Sequence, residues 1–266
     1  MLQVRNLVKY FGGIKAVDGV SFEVRAGECV ALIGPNGAGK STCFACIAGQ
    51  HAPTGGEVLW AGQRIDGLAP ARRLKRGVAR TFQVAQTFEA LTVLQNLQLL
   101  IAAGRSLAAW NVLETTSVAA ATQLLARVGL QHLAQAEVLG LPYGAKKRLE
   151  LGIALAGLRQ RALPDSGEHA PTSPDPKLLL LDEPAAGMAE QERAELMQLV
   201  KSLAREGVAV LYTEHNMDAV FGVADRALVL IEGKLAAQGT PDEIARNPEV
   251  RSRYLGHSFD AESTHA

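Results

Sequence analysis

A glycine-rich segment near the start of the chain has the residue types and spacing of a phosphate-binding loop. It consists of Gly34, Pro35, Asn36, Gly37, Ala38, Gly39, Lys40 and Ser41, followed by Thr42. This order matches G-x-x-x-x-G-K-[ST] at every fixed position. Its glycines let backbone N–H groups surround phosphate oxygens, and a helix starting here adds its positive dipole end. We expect Lys40 to reach the β- and γ-phosphates, Ser41 to bind Mg²⁺ and Thr42 to add a donor. The motif alone does not separate ATPases, GTPases and kinases.

An acidic pair, Asp182 and Glu183, directly follows the apolar run 178–181. A carboxylate at the end of a buried strand is suited to hold Mg²⁺ from the side opposite Ser41, so we expect Asp182 to be a metal ligand. Glu183 is placed to polarise an attacking water as a general base. The alternative is a solvated turn, and the glycine-rich loop is what favours the chemical role.

A histidine, His215, comes just after the apolar run 208–213. Strand carboxyl ends form the ligand edge of open α/β sheets, so His215 is predicted to lie near the γ-phosphate and to sense it. The alternative is an ordinary structural histidine.

Strands and helices alternate around these residues. Strands are predicted at 2–10, 17–24, 28–33, 57–61, 178–181 and 208–213, and as a hairpin around Glu232–Gly233. A helical pattern covers about 91–158, a helix is predicted at about 190–206, and a short helical piece follows Pro241. This alternation predicts a parallel α/β sheet. A proline-rich stretch at about 160–176 predicts a long exposed loop.

Bulk composition argues against several classes of protein without excluding a local basic patch. The 266 residues carry zero net charge, which shows no electrostatic footprint for nucleic acid. No apolar stretch approaches the length of a membrane span and no secretory signal is visible, so we expect other chains to supply any membrane part. Cys43 and Cys46 form a C-x-x-C without a second pair, which favours buried thiols over a metal site.

These residues are arranged like the ATP-binding subunits of ABC transporters, and the resemblance covers about residues 2–256. Phe11, before Gly12-Gly13, is similar to the aromatic residue that stacks on adenine, with Tyr10 as the second candidate. Gln83, in A-R-T-F-Q, resembles the glutamine that touches Mg²⁺ and links the ATP site to the transporter. Asp182, Glu183 and His215 lie where the family places its metal ligand, base and switch histidine.

The resemblance implies a P-loop NTPase fold: a RecA-like parallel sheet core, an N-terminal antiparallel β region and a helical subdomain insert. One ABC ATPase domain would cover residues 1–256. Its core would be about 1–85 and 177–240, its helical subdomain about 86–158 and its proline-rich loop about 159–176. Residues 257–266 would form a polar tail.

Three stretches resemble the branched-chain amino-acid type within the family: Gly77–Asn96, Asp182–Gly187 and Asn247–Gly256. The resemblance implies import of such amino acids, or of urea or amides, at the cytoplasmic face of the inner membrane. It implies two membrane permease subunits, a second ATPase subunit that is identical or a paralogue, and a periplasmic solute-binding protein acting indirectly. The zero net charge adds the expectation of no nucleic-acid partner. A lipopolysaccharide-type exporter and a non-transport ABC ATPase are the alternatives.

The family's signature segment, Leu-Ser-Gly-Gly-Gln, is poorly matched. The aligned residues run from Leu141 to Ala145, and only Leu141 and Gly144 agree. Pro142 replaces the serine that would contact the γ-phosphate of the facing subunit. Ala189 replaces an Asp or Asn expected after the acidic pair. We therefore expect slow ATP hydrolysis, or a second and more regular ATPase chain beside this one.

Overall fold

The computed structural model describes residues 1–81, 87–103, 116–159, 176–215 and 217–256. Its strands are β1 (Leu2–Phe11), β2 (Ile14–Val24), β3 (Cys29–Ile33), β4 (Gly55–Trp60), β5 (Gln63–Arg64), β6 (Val78–Arg80), β7 (Leu178–Asp182), β8 (Ala209–Thr213), β9 (Arg226–Ile231) and β10 (Lys234–Gly239). Its α-helices are α1 (Lys40–Ala48), α2 (Pro70–Lys75), α3 (Val93–Ala103), α4 (Thr116–Val128), α5 (Tyr143–Arg159), α6 (Glu190–Arg205), α7 (Met217–Phe221), α8 (Pro241–Arg246) and α9 (Pro248–Val250). A π-helical turn, Arg251–Leu255, follows α9.

A six-stranded sheet of order β10-β9-β3-β8-β7-β6 forms the centre of the molecule. Neighbouring strands from β9 to β6 are parallel, and β10 closes one edge as the antiparallel arm of a hairpin. Strands β3, β7 and β8 are buried at every residue, which is why each is an uninterrupted apolar run in the sequence. The predicted parallel α/β core is confirmed.

Successive residues of the central strands pack on opposite faces of the sheet. In β7, Leu179 and Leu181 belong to the cluster formed with the helices α3 to α6. Leu178 and Leu180 belong to the other cluster, which contains α1 and the inner side of the second sheet. Both faces are therefore covered, and the carboxyl ends of the strands are fixed from both sides.

The second sheet is antiparallel, with strand order β2-β1-β4-β5. It is the predicted N-terminal β region, and it extends the predicted strands by a few residues at the β1–β2 turn. Four short elements were not predicted: the strands β5 and β6, of which β6 pairs with β7, and the helices α2 and α7. Each is too short to show a hydrophobic period.

Three helices, α3, α4 and α5, lie in the range predicted to be a helical subdomain, and they pack against one another. The proline-rich segment falls almost wholly in 160–175, and the polar tail at 257–266; both lie outside the described residues. No helix in the described ranges is long and apolar enough to cross a bilayer.

The two cysteines of the C-x-x-C lie on α1 as free, buried thiols. Burial raises the pKa of Cys46 to about 11 and raises that of Cys43 as well. Thiols of this kind are packing groups rather than nucleophiles or metal ligands.

A fully buried arginine, Arg73, joins the end of α1 to the loop before α2. Its guanidinium donates to the carbonyl oxygens of Cys46, Ile47, Asp66 and Leu68, and the residue is 1% exposed. The two α1 carbonyls are among those that a helix C-terminus leaves without partners.

Arg73→Met is expected to lower the free energy of unfolding by on the order of 3 kcal/mol, because it leaves buried carbonyls without donors. Chemical denaturation measures this change. Arg72→Met, at the exposed neighbouring position, is the control and should unfold like the wild type. Equal stability of the two variants would contradict the role given to Arg73.

Candidate functional site

The glycine-rich loop connects β3 to α1 at the carboxyl edge of the central sheet. Gly34 and Gly39 have φ angles of 144° and 93°. A Cβ at Gly34 would lie 2.1 Å from the Leu230 carbonyl oxygen, and one at Gly39 would lie 2.1 Å from that of Ala16. Only glycine fits at either position, so the loop's course is set by its neighbours in β9 and β2.

The loop encloses the side chain of Lys40, the first residue of α1. Its Nζ donates to the carbonyl oxygens of Gly34 at 2.7 Å and Pro35 at 2.9 Å. Burial lowers the pKa of the Lys40 ammonium, and the nearby Glu183 carboxylate opposes that shift. A buried cation is thereby held against the concave side of the loop.

The remaining loop residues are open toward solvent to different degrees. Asn36, Gly37 and Ser41 are exposed, and Thr42 is half-buried in the first turn of α1. The first backbone N–H groups of an α-helix lack intrahelical partners, so this end of α1 presents donors and a positive dipole end. An anion of the size of a phosphate matches that arrangement.

The acidic pair lies at the end of β7, at the same carboxyl edge of the sheet as this loop. One strand, β8, separates β7 from β3, which leads into the loop. Asp182 is 3% exposed, and its Oδ1 accepts a hydrogen bond from Thr213 Oγ1 at 2.8 Å. The same Thr213 oxygen accepts the Glu183 N–H at 2.9 Å. Thr213 ends β8, which pairs in register with β7, so the two strand ends orient the acidic pair together.

Glu183 has a φ of 46°, an unusual backbone conformation for a residue with a side chain. Its Oε1 lies 2.6 Å from Nε2 of His215, and both side chains remain partly exposed. The His215 N–H is held in turn by the Glu214 carboxylate at 2.8 Å. Strained residues concentrate at functional sites, and this contact brings together two groups that the sequence predicted separately.

The two aromatic candidates on β1 differ in availability. Phe11 is 44% exposed, at the tip of the β1–β2 turn, with Lys9 Nζ 4.9 Å from its ring centroid and the His51 ring set edge-on at 5.5 Å. Tyr10 is less exposed, and its hydroxyl lies 3.5 Å from Asp18. The same hairpin supplies the Ala16 carbonyl that lies against Gly39, so the hairpin that carries Phe11 packs against the loop.

The poorly matched signature segment lies at the start of α5. Leu141 is buried in the core, and the Lys146 N–H donates to the Pro142 carbonyl at 3.1 Å, so a regular helix starts at the proline. Gly144 is covered by the Glu192 carboxylate, which would lie 2.9 Å from an added Cβ. Ala189 is the N-cap of α6 and provides no side-chain hydrogen bond.

Two residues at the site were missed in the sequence. Thr213 orients the acidic pair, and Arg80 forms an ion pair with Asp182. Neither lies in a recognisable motif of its own, and only strand pairing reveals them. Gln83 lies outside the described residues.

Comparison with known proteins is consistent with this geometry. Residues 17–165 match the family model described as ABC transporter, and residues 234–260 match one described as branched-chain amino acid ATP-binding cassette transporter. The high-affinity branched-chain amino acid transport ATP-binding protein LivG of Salmonella typhimurium is 36% identical, over 97% of this chain and 98% of its own.

Solved structures agree. MJ1267 in its ADP conformation, an ATP-binding cassette of an ABC transporter, has a TM-score of 0.78 at 31% identity, covering 96% of this chain and 98% of that chain. The dimeric post-hydrolysis state of the cassette MJ0796, bound to ADP and Pi, has a TM-score of 0.73 at 25% identity, covering 91% of this chain and 99% of that chain.

The first family model spans more than half of the chain, and the curated relative is matched from end to end. The predicted resemblance and the predicted fold are both confirmed. The chain belongs to the ABC transporter family, as one of its ATP-binding and ATP-hydrolysing cassettes.

Proposed function

We propose that this ATPase powers the import of branched-chain amino acids or of a related small polar solute such as urea or an amide. The observation that carries the proposal is the end-to-end likeness to LivG, whose name states high-affinity branched-chain amino acid transport. The match of residues 234–260 to the branched-chain amino acid model adds support from a second part of the chain. The exporter and non-transport alternatives find no support in these relatives.

Within the proposed site, the loop residues from Gly34 to Thr42 bind the nucleotide phosphates, with Lys40 on the β- and γ-phosphates. Ser41 and Asp182 hold Mg²⁺, together with Gln83. The donor chemistry fits, because Mg²⁺ in nucleotide sites takes one or two protein oxygens and fills its remaining positions with phosphate and water. Bound Mg²⁺ supplies neutralisation of the phosphate charge.

Glu183 is proposed as the general base. Its carboxylate accepts a proton from a water whose oxygen attacks the γ-phosphorus, the bond to the bridging oxygen breaks, and ADP leaves. The 2.6 Å contact with His215 orients that carboxylate. The same contact places the histidine beside the proposed position of the γ-phosphate. Thr213 holds the Glu183 backbone, so the base is fixed at both ends.

The proposed assembly has two ATPase subunits, identical or paralogous, below two membrane permease subunits, with a periplasmic solute-binding protein acting indirectly and no nucleic acid partner. The chain would lie on the cytoplasmic face of the inner membrane. The dimeric MJ0796 structure supports the pairing of two ATPase subunits. In this pairing, Leu141 and Gly144 belong to the face that meets the partner's ATP.

Two exposed apolar side chains, Phe88 and Leu139, support permease contact. They lie on adjoining segments, which are joined by the hydrogen bond from the Leu139 N–H to the Glu89 carbonyl.

Phe11→Ala is expected to weaken ATP binding about 5- to 150-fold, because stacking of a base on an aromatic ring contributes about 1–3 kcal/mol. Equilibrium binding of a fluorescent ATP analogue measures the change. Ile14→Ala, at an exposed position across the same turn, is the matched control and should bind normally. A larger loss in Tyr10→Ala than in Phe11→Ala would transfer the stacking role to Tyr10.

Pro142→Ser is expected to raise ATP turnover about 10- to 100-fold, because it restores a hydroxyl that can donate to the partner's γ-phosphate. Ala189→Asp should also raise turnover, and as a new N-cap of α6 it should stabilise the protein by about 1 kcal/mol. Steady-state phosphate release and denaturation measure the two effects. A wild-type chain that alone turns over several ATP per second would contradict the account of a weakened signature.

Solute uptake tests the proposed function. Cells lacking this chain should lose uptake of radiolabelled leucine, isoleucine and valine, and the wild-type chain should restore it. A Lys40→Ala chain should not restore uptake, whereas Lys75→Ala, at an exposed position on α2, should. Undiminished uptake of these three amino acids together with urea and amides in the deleted cells would overturn the proposal.

A further inference from the structure

An arginine at the end of β6, Arg80, is bound to the carboxylate of Asp182. Its Nη2 lies 2.8 Å from Asp182 Oδ2, and the two side chains are only 12% and 3% exposed. Arg80 pairs with Leu180 across the parallel β6–β7 ladder, so its side chain reaches forward along β7 to the strand's last residue. Because Arg80 and Asp182 are the last residues of their parallel strands, their contact lies at the carboxyl edge of the sheet, where the glycine-rich loop also lies.

The guanidinium is otherwise held by packing. Its Cζ lies 5.0 Å from the centroid of the Phe44 ring on α1, the helix that begins with Lys40. Its Nε and Nη1 are buried and have no hydrogen-bond partner among the described residues. Its one polar partner in that part of the chain is therefore the Asp182 carboxylate.

Both oxygens of Asp182 are thus engaged by protein donors: Oδ1 by Thr213 and Oδ2 by Arg80. A carboxylate buried to this degree is costly without a counter-charge, and Arg80 supplies one. A divalent cation would supply another. The Arg80 guanidinium and a divalent cation repel each other, so both cannot contact the Asp182 carboxylate at their preferred distances at the same time.

We propose that Arg80 is a counter-ion that occupies Asp182 in the metal-free chain and that metal–nucleotide binding must displace. The inference rests on the proposed role of Asp182 as a metal ligand. It makes Arg80 a positioning residue that opposes early metal binding and keeps the buried carboxylate neutralised between ATP cycles. It also couples the end of β6 to the occupancy of the site.

The measurement that tests this is the metal enhancement of ADP binding: the ratio of the ADP dissociation constant in EDTA to that in Mg²⁺. Arg80→Met removes the competing cation with a side chain of similar length. It should increase this ratio about tenfold, because ADP alone then meets an uncompensated carboxylate and Mg²⁺ no longer displaces an arginine. Fluorescent ADP and the purified full chain are sufficient, since no turnover is involved.

Two further variants keep the result interpretable. Arg127→Met breaks a surface ion pair with Glu206 and should leave the ratio unchanged. Arg80→Lys keeps a charge without the planar guanidinium, so it should give a smaller increase in the ratio and serves if Arg80→Met does not fold.

An unchanged ratio in folded Arg80→Met, or in Arg80→Lys if only that variant folds, would overturn the inference. Asp182→Asn separates this from failure of the proposed function. If Asp182→Asn loses the metal enhancement while the Arg80 variants match the wild type, Asp182 remains a metal ligand and only the counter-ion role fails. If Asp182→Asn keeps full enhancement, the metal role of Asp182 fails and the inference fails with it.

Discussion

Replacing Glu183 by glutamine is expected to lower ATP turnover by about 10²- to 10⁴-fold, the range that a general base contributes. The amide keeps the size of the side chain but cannot accept a proton from water. Thr213 holds the backbone N–H of residue 183, and that contact is unaffected by the substitution. ATP affinity should therefore stay close to that of the wild type, and phosphate release with equilibrium ATP binding separates the two effects.

The Glu183→Gln chain should also accumulate with ATP bound as a closed pair, because the step that reopens the pair is blocked. Light scattering would show its mass rising from 28.2 kDa toward twice that value when ATP is added. Glu190→Gln, at an exposed position in the first turn of α6, is the control and should turn over normally. Normal turnover in Glu183→Gln would remove the base role from this residue.

Lys40→Ala is expected to weaken ATP binding about 10- to 150-fold. The ammonium lies inside the loop on the Gly34 and Pro35 carbonyls, where it can exchange those partners for phosphate oxygens. Losing one charge-assisted hydrogen bond to phosphate costs about 1.5–3 kcal/mol, which is the stated range of affinity. Isothermal titration with ATP measures it directly.

The exposed lysine Lys75 provides the matched control for this second prediction, since it carries the same charge on α2. Lys75→Ala should bind ATP as the wild type does. Equal affinities for Lys40→Ala and Lys75→Ala would show that the loop binds nucleotide without its lysine, and the site as described would be wrong.

The phosphate loop could be predicted because its chemistry is contiguous in sequence. Gly34 and Gly39 are fixed by close approach to other backbone segments, and the lysine must follow them at a set distance on the starting helix. The same holds for the acidic pair, which is recognisable because Asp182 ends a fully buried strand and Glu183 follows it. When the residues of a site are adjacent in the sequence, the constraints on them appear as a recognisable sequence motif.

Thr213 and Arg80 could not be predicted, because their roles arise from pairing between strands that are far apart in sequence. Thr213 lies opposite Asp182 in the β7–β8 register, and Arg80 lies opposite Leu180 in the β6–β7 register. Neither residue type is unusual at a strand end. The strand that carries Arg80 has three residues, too few for a hydrophobic period to show.

The role of Arg73 could not be predicted for a different reason. Of the three basic residues on α2, which include Arg72 and Lys75, only Arg73 is buried, and it donates to carbonyl oxygens at the end of α1. Its burial depends on the position of α1, which itself follows from the phosphate loop. Long-range packing therefore decides which of several equivalent arginines is structural.

A crystal structure of this chain with Mg²⁺ and a non-hydrolysable ATP analogue tests the central claim most directly. We expect the β- and γ-phosphates inside the loop, within hydrogen-bonding distance of Lys40 Nζ, and Mg²⁺ between Ser41 and Asp182. The γ-phosphate should lie beside Glu183 and His215. An analogue bound with its phosphates away from the loop, or with Glu183 remote from the γ-phosphate, would contradict the central claim.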